Sequence, residues 1–160
     1  MIRTITVSAV AAGLAAGVAV AAPAQATMSE STPPGDHCVG NVDGRLLGCY
    51  ATEAEADRAM SGARWIPLVK FYARTGYAGK TLRLGGAKAC TVTLNDVNYA
   101  HPNLGVFGWN NRASSFVTRN HCDMVGYDGK SYRGDHFKRW VDHDIRLVRW
   151  NNDISSFALS

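Results

Sequence analysis

An eight-residue string with the side chains to hold a small hard cation occurs twice in this sequence. It reads Trp109-Asn110-Asn111-Arg112-Ala113-Ser114-Ser115-Phe116 and again Trp150-Asn151-Asn152-Asp153-Ile154-Ser155-Ser156-Phe157. Six of the eight positions are identical and the two variable positions coincide, which marks an internal repeat. Asn amides, Ser hydroxyls and turned-in backbone carbonyls are hard oxygen donors, the ligand set of calcium before any other metal. The same residues also suit a plain turn, closed by Asx and Ser hydrogen bonds. Either way Trp109, Trp150, Phe116 and Phe157 are expected in the core.

Other chemistry finds little footing. The five histidines, His37, His101, His121, His136 and His143, are dispersed. Asp142-His143-Asp144 invites a metal or triad reading, but neighbours on a strand point to opposite faces. Gly-x-Ser-x-Gly, P-loop and dinucleotide signatures are absent from the sequence. A binding protein is expected, not an enzyme.

Each string must be held by something, and a second repeated pattern precedes it. Tyr72, Tyr77 and Gly79 have the spacing aromatic-x4-aromatic-x-Gly, and Tyr127, Tyr132 and Gly134 repeat it. Physically this is a strand that folds over into a hairpin, one aromatic packing across the turn and the glycine taking a backbone conformation closed to other residues. From Tyr72 to Trp109 is 37 residues and from Tyr127 to Trp150 is 23, so the first unit carries an insertion of 14 residues. It falls between Leu84 and Gly108, and a surface loop is expected there.

The two marks, in this order and twice over, resemble the βγ-crystallin family. The resemblance covers about residues 68–160 and implies an all-β fold: two Greek-key motifs packed as a βγ-crystallin-like sandwich. It also implies calcium sites, up to two, shared between the motifs. Ser114 and Ser155 would then give side-chain oxygens, Arg112 and Asp153 main-chain carbonyls, and Asn111 and Asn152 side-chain oxygens to the partner loop's ion. Asn110 and Asn151 would hold the turns. With Asn where Asp could stand, the sites are expected to be weak, on the order of 10⁻⁴ M. The loop of Asp153 should bind more tightly than the loop of Arg112. The chain is similar, too, to bacterial secreted members such as the Streptomyces metalloproteinase inhibitor. That likeness suggests an alternative partner, a secreted protease met by the insertion at residues 85–108.

The rest of the sequence sets the context. Arg3, the apolar run from Ile5 to Ala22 and Ala24-Gln25-Ala26 read as a secretory signal peptide cleaved after Ala26. This predicts an extracellular protein with no membrane partner once cleaved. Without Arg3 the charge is +3, dispersed along the chain, which does not favour a nucleic-acid groove, and a monomer is expected. Four cysteines in a secreted chain read as two disulfides. Of three connectivities, Cys38–Cys49 with Cys90–Cys122 is preferred, the first closing a short loop and the second stapling the region between repeats. Residues 27–67 precede the repeats as an extension. Within it, Thr52 and Glu55 form a capping-box pattern that predicts a short helix over Glu53–Met60.

Overall fold

A computed structural model describes residues 35–160; the signal segment expected at residues 1–26 lies outside them. The strands are β1 (His37–Asn41), β2 (Leu46–Tyr50), β3 (Ile66–Arg74), β4 (Ala78–Gly86), β5 (Tyr99–His101), β6 (Ser115–Thr118), β7 (Met124–Tyr127), β8 (His143–Asp144) and β9 (Ser156–Leu159), with one α-helix among the described residues, α1 (Glu53–Gly62), and short 3-10 turns at Leu104–Phe107 and Lys130–Tyr132. They form a six-stranded sheet, β2-β1-β4-β3-β6-β8, and a three-stranded sheet, β5-β9-β7.

The sheet order is that of two interlocked Greek keys. The first repeat places β3, β4 and β6 in the large sheet but sends β5 across to pair with β9. The second places β7 and β9 in the small sheet and sends β8 across to pair with β6. Each repeat thus lends one strand to the other's sheet. The second repeat's remaining strand is reduced to isolated bridges, Tyr127 to His136 and Met124 to Val141. The all-β, two-motif fold that the resemblance implies is the fold observed.

Alternation along the strands explains the core. Leu82 and Leu84 on β4 and Phe71 on β3 point inward and are fully buried. Phe71 meets Phe157 of the opposite sheet edge-on, with ring centroids 5.5 Å apart. Phe116, Leu68, Met124 and Leu159 complete a core that spans both repeats. Trp109 is buried as expected, but Trp150 is only partly so: Phe137 meets it edge-on at 5.2 Å, and the Arg149 guanidinium lies 5.5 Å from its ring centre.

The extension is part of the sheet. β1 pairs in parallel with β4, and β2 folds back on β1 through a turn at Asn41–Arg45. The Cys38–Cys49 disulfide ties that hairpin and Cys90–Cys122 ties the insertion to the turn after β6, the pairing preferred from sequence. Helix α1 starts at the expected cap: Thr52 Oγ1 accepts from Glu55 N at 3.2 Å, and Glu55 Oε2 accepts from Thr52 N at 3.1 Å. Its Ala56 and Met60 pack on Val39, Tyr50 and Trp65 in a second small core. The helix lies against β1, β2 and β3 and covers Arg83, which projects from β4 away from the main core and is left only 7% exposed.

Candidate cation site

The two Asn-Asn-x-x-Ser-Ser loops meet in space. Asn111 N donates to Ile154 O at 3.1 Å, and Asn152 N donates to Ala113 O at 2.8 Å, so each loop's turn closes on the other loop's backbone. Ala113 and Ile154, the equivalent residues of the two strings, are both fully buried and hold the loops in place. Asn111 and Asn152 take left-handed backbone angles, φ 55° and 57°, which Asn tolerates better than most residues.

This exchange carries the side-chain oxygens across. Ser114 Oγ donates to Asn152 Oδ1 at 3.3 Å, and Ser155 Oγ donates to Asn111 Oδ1 at 2.9 Å. Each pair takes its serine from one repeat and its asparagine from the other. Two oxygens about 2.4 Å from one ion, separated by about 75° to 90°, lie roughly 2.9 to 3.4 Å apart. The residues present therefore fit a hard cation. Both serines are 4% exposed, while Asn111, Arg112, Asn152 and Asp153 are exposed.

The second serine of each loop does a different job. Ser115 Oγ accepts from Tyr77 N at 3.2 Å and donates to Arg74 O at 2.7 Å. Ser156 Oγ accepts from Tyr132 N at 3.0 Å and donates to Gly129 O at 2.6 Å. These hydroxyls fasten the folded hairpins over the loops. The tyrosines pack as the spacing predicts, Tyr72 on Tyr77 at 5.4 Å and Tyr127 on Tyr132 at 5.8 Å. Burial pushes the Tyr77 and Tyr132 hydroxyls above their ordinary range.

Three features were not read from the sequence. Ala73 O lies 3.1 Å from Ser114 Oγ as an alternative acceptor for the same hydroxyl proton, so a carbonyl at the end of β3 stands beside the first pair. Ala73 carries no side-chain donor, so no signal in the sequence points to its carbonyl. The cleft beside Asn111, Arg112 and Asn152 is walled by Asp36 and Lys80, which pair at 2.8 Å. That hydrogen bond holds the Asp36 carboxyl below its ordinary range. Finally, the Asn110 side-chain oxygen is buried without a hydrogen-bond partner among the described residues. Asn151 is exposed. Among the described residues no group of three or more His, Cys, Asp or Glu side chains is placed to hold a metal.

Among solved structures the chain is similar to the N-terminal domain of protein S, with 19% identity and a TM-score of 0.46 over 58% of this chain and 94% of that one. It is similar to a βγ-crystallin from Ciona intestinalis, at 17% identity and a TM-score of 0.44 over 57% of this chain and 98% of that one. A βγ-crystallin domain from Flavobacterium johnsoniae gives 16% and 0.41, over 58% and 93% of the two chains. No family model and no curated relative matches the chain.

Proposed function

We propose that this βγ-crystallin-like domain is secreted and binds calcium, which joins its two repeats. The observation behind this reading is the crossing of oxygens between the loops, Ser114 with Asn152 and Ser155 with Asn111. One ion would be held by Ser114 Oγ, Asn152 Oδ1 and the Arg112 carbonyl, and a second by Ser155 Oγ, Asn111 Oδ1 and the Asp153 carbonyl, with water completing each shell. Bound calcium supplies a positive charge on which oxygens of both repeats converge. The side chains are neutral amides and hydroxyls, so affinity is on the order of 10⁻⁴ M, a value suited to extracellular modules. Lys80 in the adjoining cleft is paired with Asp36, so the charge difference between the two loops lies in Arg112 against Asp153, and the loop of Asp153 would bind the more tightly. Two disulfides support an oxidising, extracellular setting. Isothermal titration of calcium into the chelator-stripped protein tests the proposal: heat of binding is expected, and the double variant Ser114→Arg with Ser155→Arg should abolish it. No binding at millimolar calcium would sink it.

One observation favours a second reading, a protease-binding loop. Residues 91–97 of the insertion stand in solvent, with Val92 82% exposed and Leu94 and Val97 each 54% exposed. The segment is nonetheless fixed: Cys90 is bonded to Cys122, Asn98 Oδ1 accepts from Thr91 N at 2.7 Å, and Asn95 Oδ1 accepts from Trp140 Nε1 at 2.7 Å. A convex loop held this way loses little entropy on docking into a cleft. The rest of the expected 85–108 loop does not protrude, since β5 pairs with β9 and Leu104 and Phe107 enter the core. Inhibition of a secreted metallo- or serine protease, removed by Val92→Ser with Leu94→Ser, is the expected result. Unimpeded activity across a panel of such proteases refutes this reading.

A further inference from the structure

The second repeat carries a surface that the cation loops do not account for and that the insertion borders through Leu94 and Asn95. Residues 130–149 hold six Lys or Arg and three Asp, a net +3, against +4 for the whole chain. The charge that looks dispersed in the sequence is therefore concentrated here.

Within this stretch, residues 137–139 line two adjoining hollows. The first, about 620 Å³, lies between these residues and the insertion and is lined by Asn95, Tyr127, His136 and Trp140 among others. The second, about 430 Å³, shares Phe137, Lys138 and Arg139 with it and ends on Trp150. Both are open to solvent and suit a ligand that lies along the surface rather than one that is enclosed.

The aromatic rings are ordered by their neighbours. His136 stacks on Tyr127 at 5.4 Å with planes 30° apart. Trp140 is tied to the insertion through its hydrogen bond to Asn95. Trp140 and Trp150 are both partly buried. Among the cations, Lys138 and Arg149 pair with Asp135, whereas Arg139 is exposed with no carboxylate partner among the described residues.

We propose that these hollows are a binding cleft for a carboxylated oligosaccharide. Sugar rings present apolar C–H faces that pack on aromatic side chains, and their hydroxyls suit an amide such as Asn95. A sugar carboxylate would take the unpaired Arg139 guanidinium in a two-pronged, charge-assisted contact. A lipid surface or a large protein partner calls instead for a continuous, outward-standing apolar patch. Here the tryptophans sit in hollows between charged residues.

The test uses the full protein in a chelating buffer, so that calcium cannot bridge sugar to protein. Short oligogalacturonate is titrated with calorimetric and tryptophan-fluorescence readouts, beside neutral cello-oligosaccharide, polyglutamate and phosphatidylglycerol vesicles. Oligogalacturonate alone is expected to bind. Arg139→Ala, a change at an exposed residue, should weaken it about tenfold, as for loss of a charge-assisted pair. Trp140→Ala should weaken it as well. Three results overturn the proposal: no binding of the acidic sugar, equal binding of the neutral sugar, or binding indifferent to Arg139→Ala. Tighter binding of polyglutamate or vesicles overturns it too.

Discussion

Repetition is what makes single residues interpretable in this chain. Ser114 and Ser155 cross to the opposite loop, while Ser115 and Ser156, one residue later, turn back to their own hairpins. The alternation of a strand entrance puts the two hydroxyls on opposite sides, so one dipeptide serves both the site and the scaffold. The glycines at the ends of the hairpins are similarly explicit. Gly79 and Gly134 have φ of +80° and +79°, and a Cβ on Gly134 would run into the Asp128 carboxylate. Gly134→Ala should therefore destabilise the fold by roughly 1–3 kcal/mol, read as a lower urea midpoint. An unchanged midpoint would show that the hairpin has another way to close. Trp150 and Asn110 mark the limit of reading by equivalence. Identical letters in two strings do not meet identical surroundings: Trp150 is left partly open, with the Arg149 guanidinium beside it, and the Asn110 oxygen is left without a partner.

At the scale of elements, the helix and the hairpins were legible and the short strands were not. A capping box acts within four residues, so α1 could be read from Thr52 and Glu55 alone. β5 and β8 are three and two residues long, and their partners lie in the other repeat, so no local pattern announces them. The docking of α1 was illegible for the same reason, since its cations sit on strands 17 and 30 residues away. Lys70 and Arg83 both contact Glu53, and Arg83 also pairs with Asp57. Burial opposes the charge on Glu53. The Lys70 hydrogen bond, with the charges of Lys70, Arg83 and His37, outweighs it and holds the Glu53 carboxyl below its ordinary value of 4.5. A depressed carboxyl stabilises the fold above its unfolded pKa and stops doing so as pH falls through the folded one. The difference in stability between wild type and Glu53→Gln should thus be constant at neutral pH and shrink once pH drops below 4.5. A difference that persists into stronger acid contradicts this account of the docking.

At the scale of the whole molecule, the repeats are joined in two ways, by the exchange of β5 and β8 between sheets and by the crossing of the loops. A ligand bound only when both loops are in place stabilises the folded state alone. At about 1 mM calcium and a dissociation constant on the order of 10⁻⁴ M, one site adds about 1.4 kcal/mol. Thermal unfolding followed with and without chelator should show the corresponding rise in Tm, absent from the double Ser→Arg variant. A Tm indifferent to calcium in the wild type speaks against a site that spans the repeats. The resemblance carried by the repeated motifs implied this architecture, and the strand order agrees with it. That resemblance was silent on β1, β2 and α1, which break the symmetry by extending only one sheet and leave β2 as its outer edge.

The position of β9 has a consequence for the order in which the chain can be made. It is the central strand of its sheet, yet it is the last of the described strands in sequence. As the polypeptide emerges, β5 and β7 have no partner in that sheet until residues 156–159 arrive, whereas β1 to β4 can pair at once. The large sheet can thus assemble while the small one, and with it the second half of the candidate cation site, waits for residues 155–159. Long-range pairing of this kind is slow. A nascent chain stalled before Ser155 would hold one finished loop with nothing to close upon.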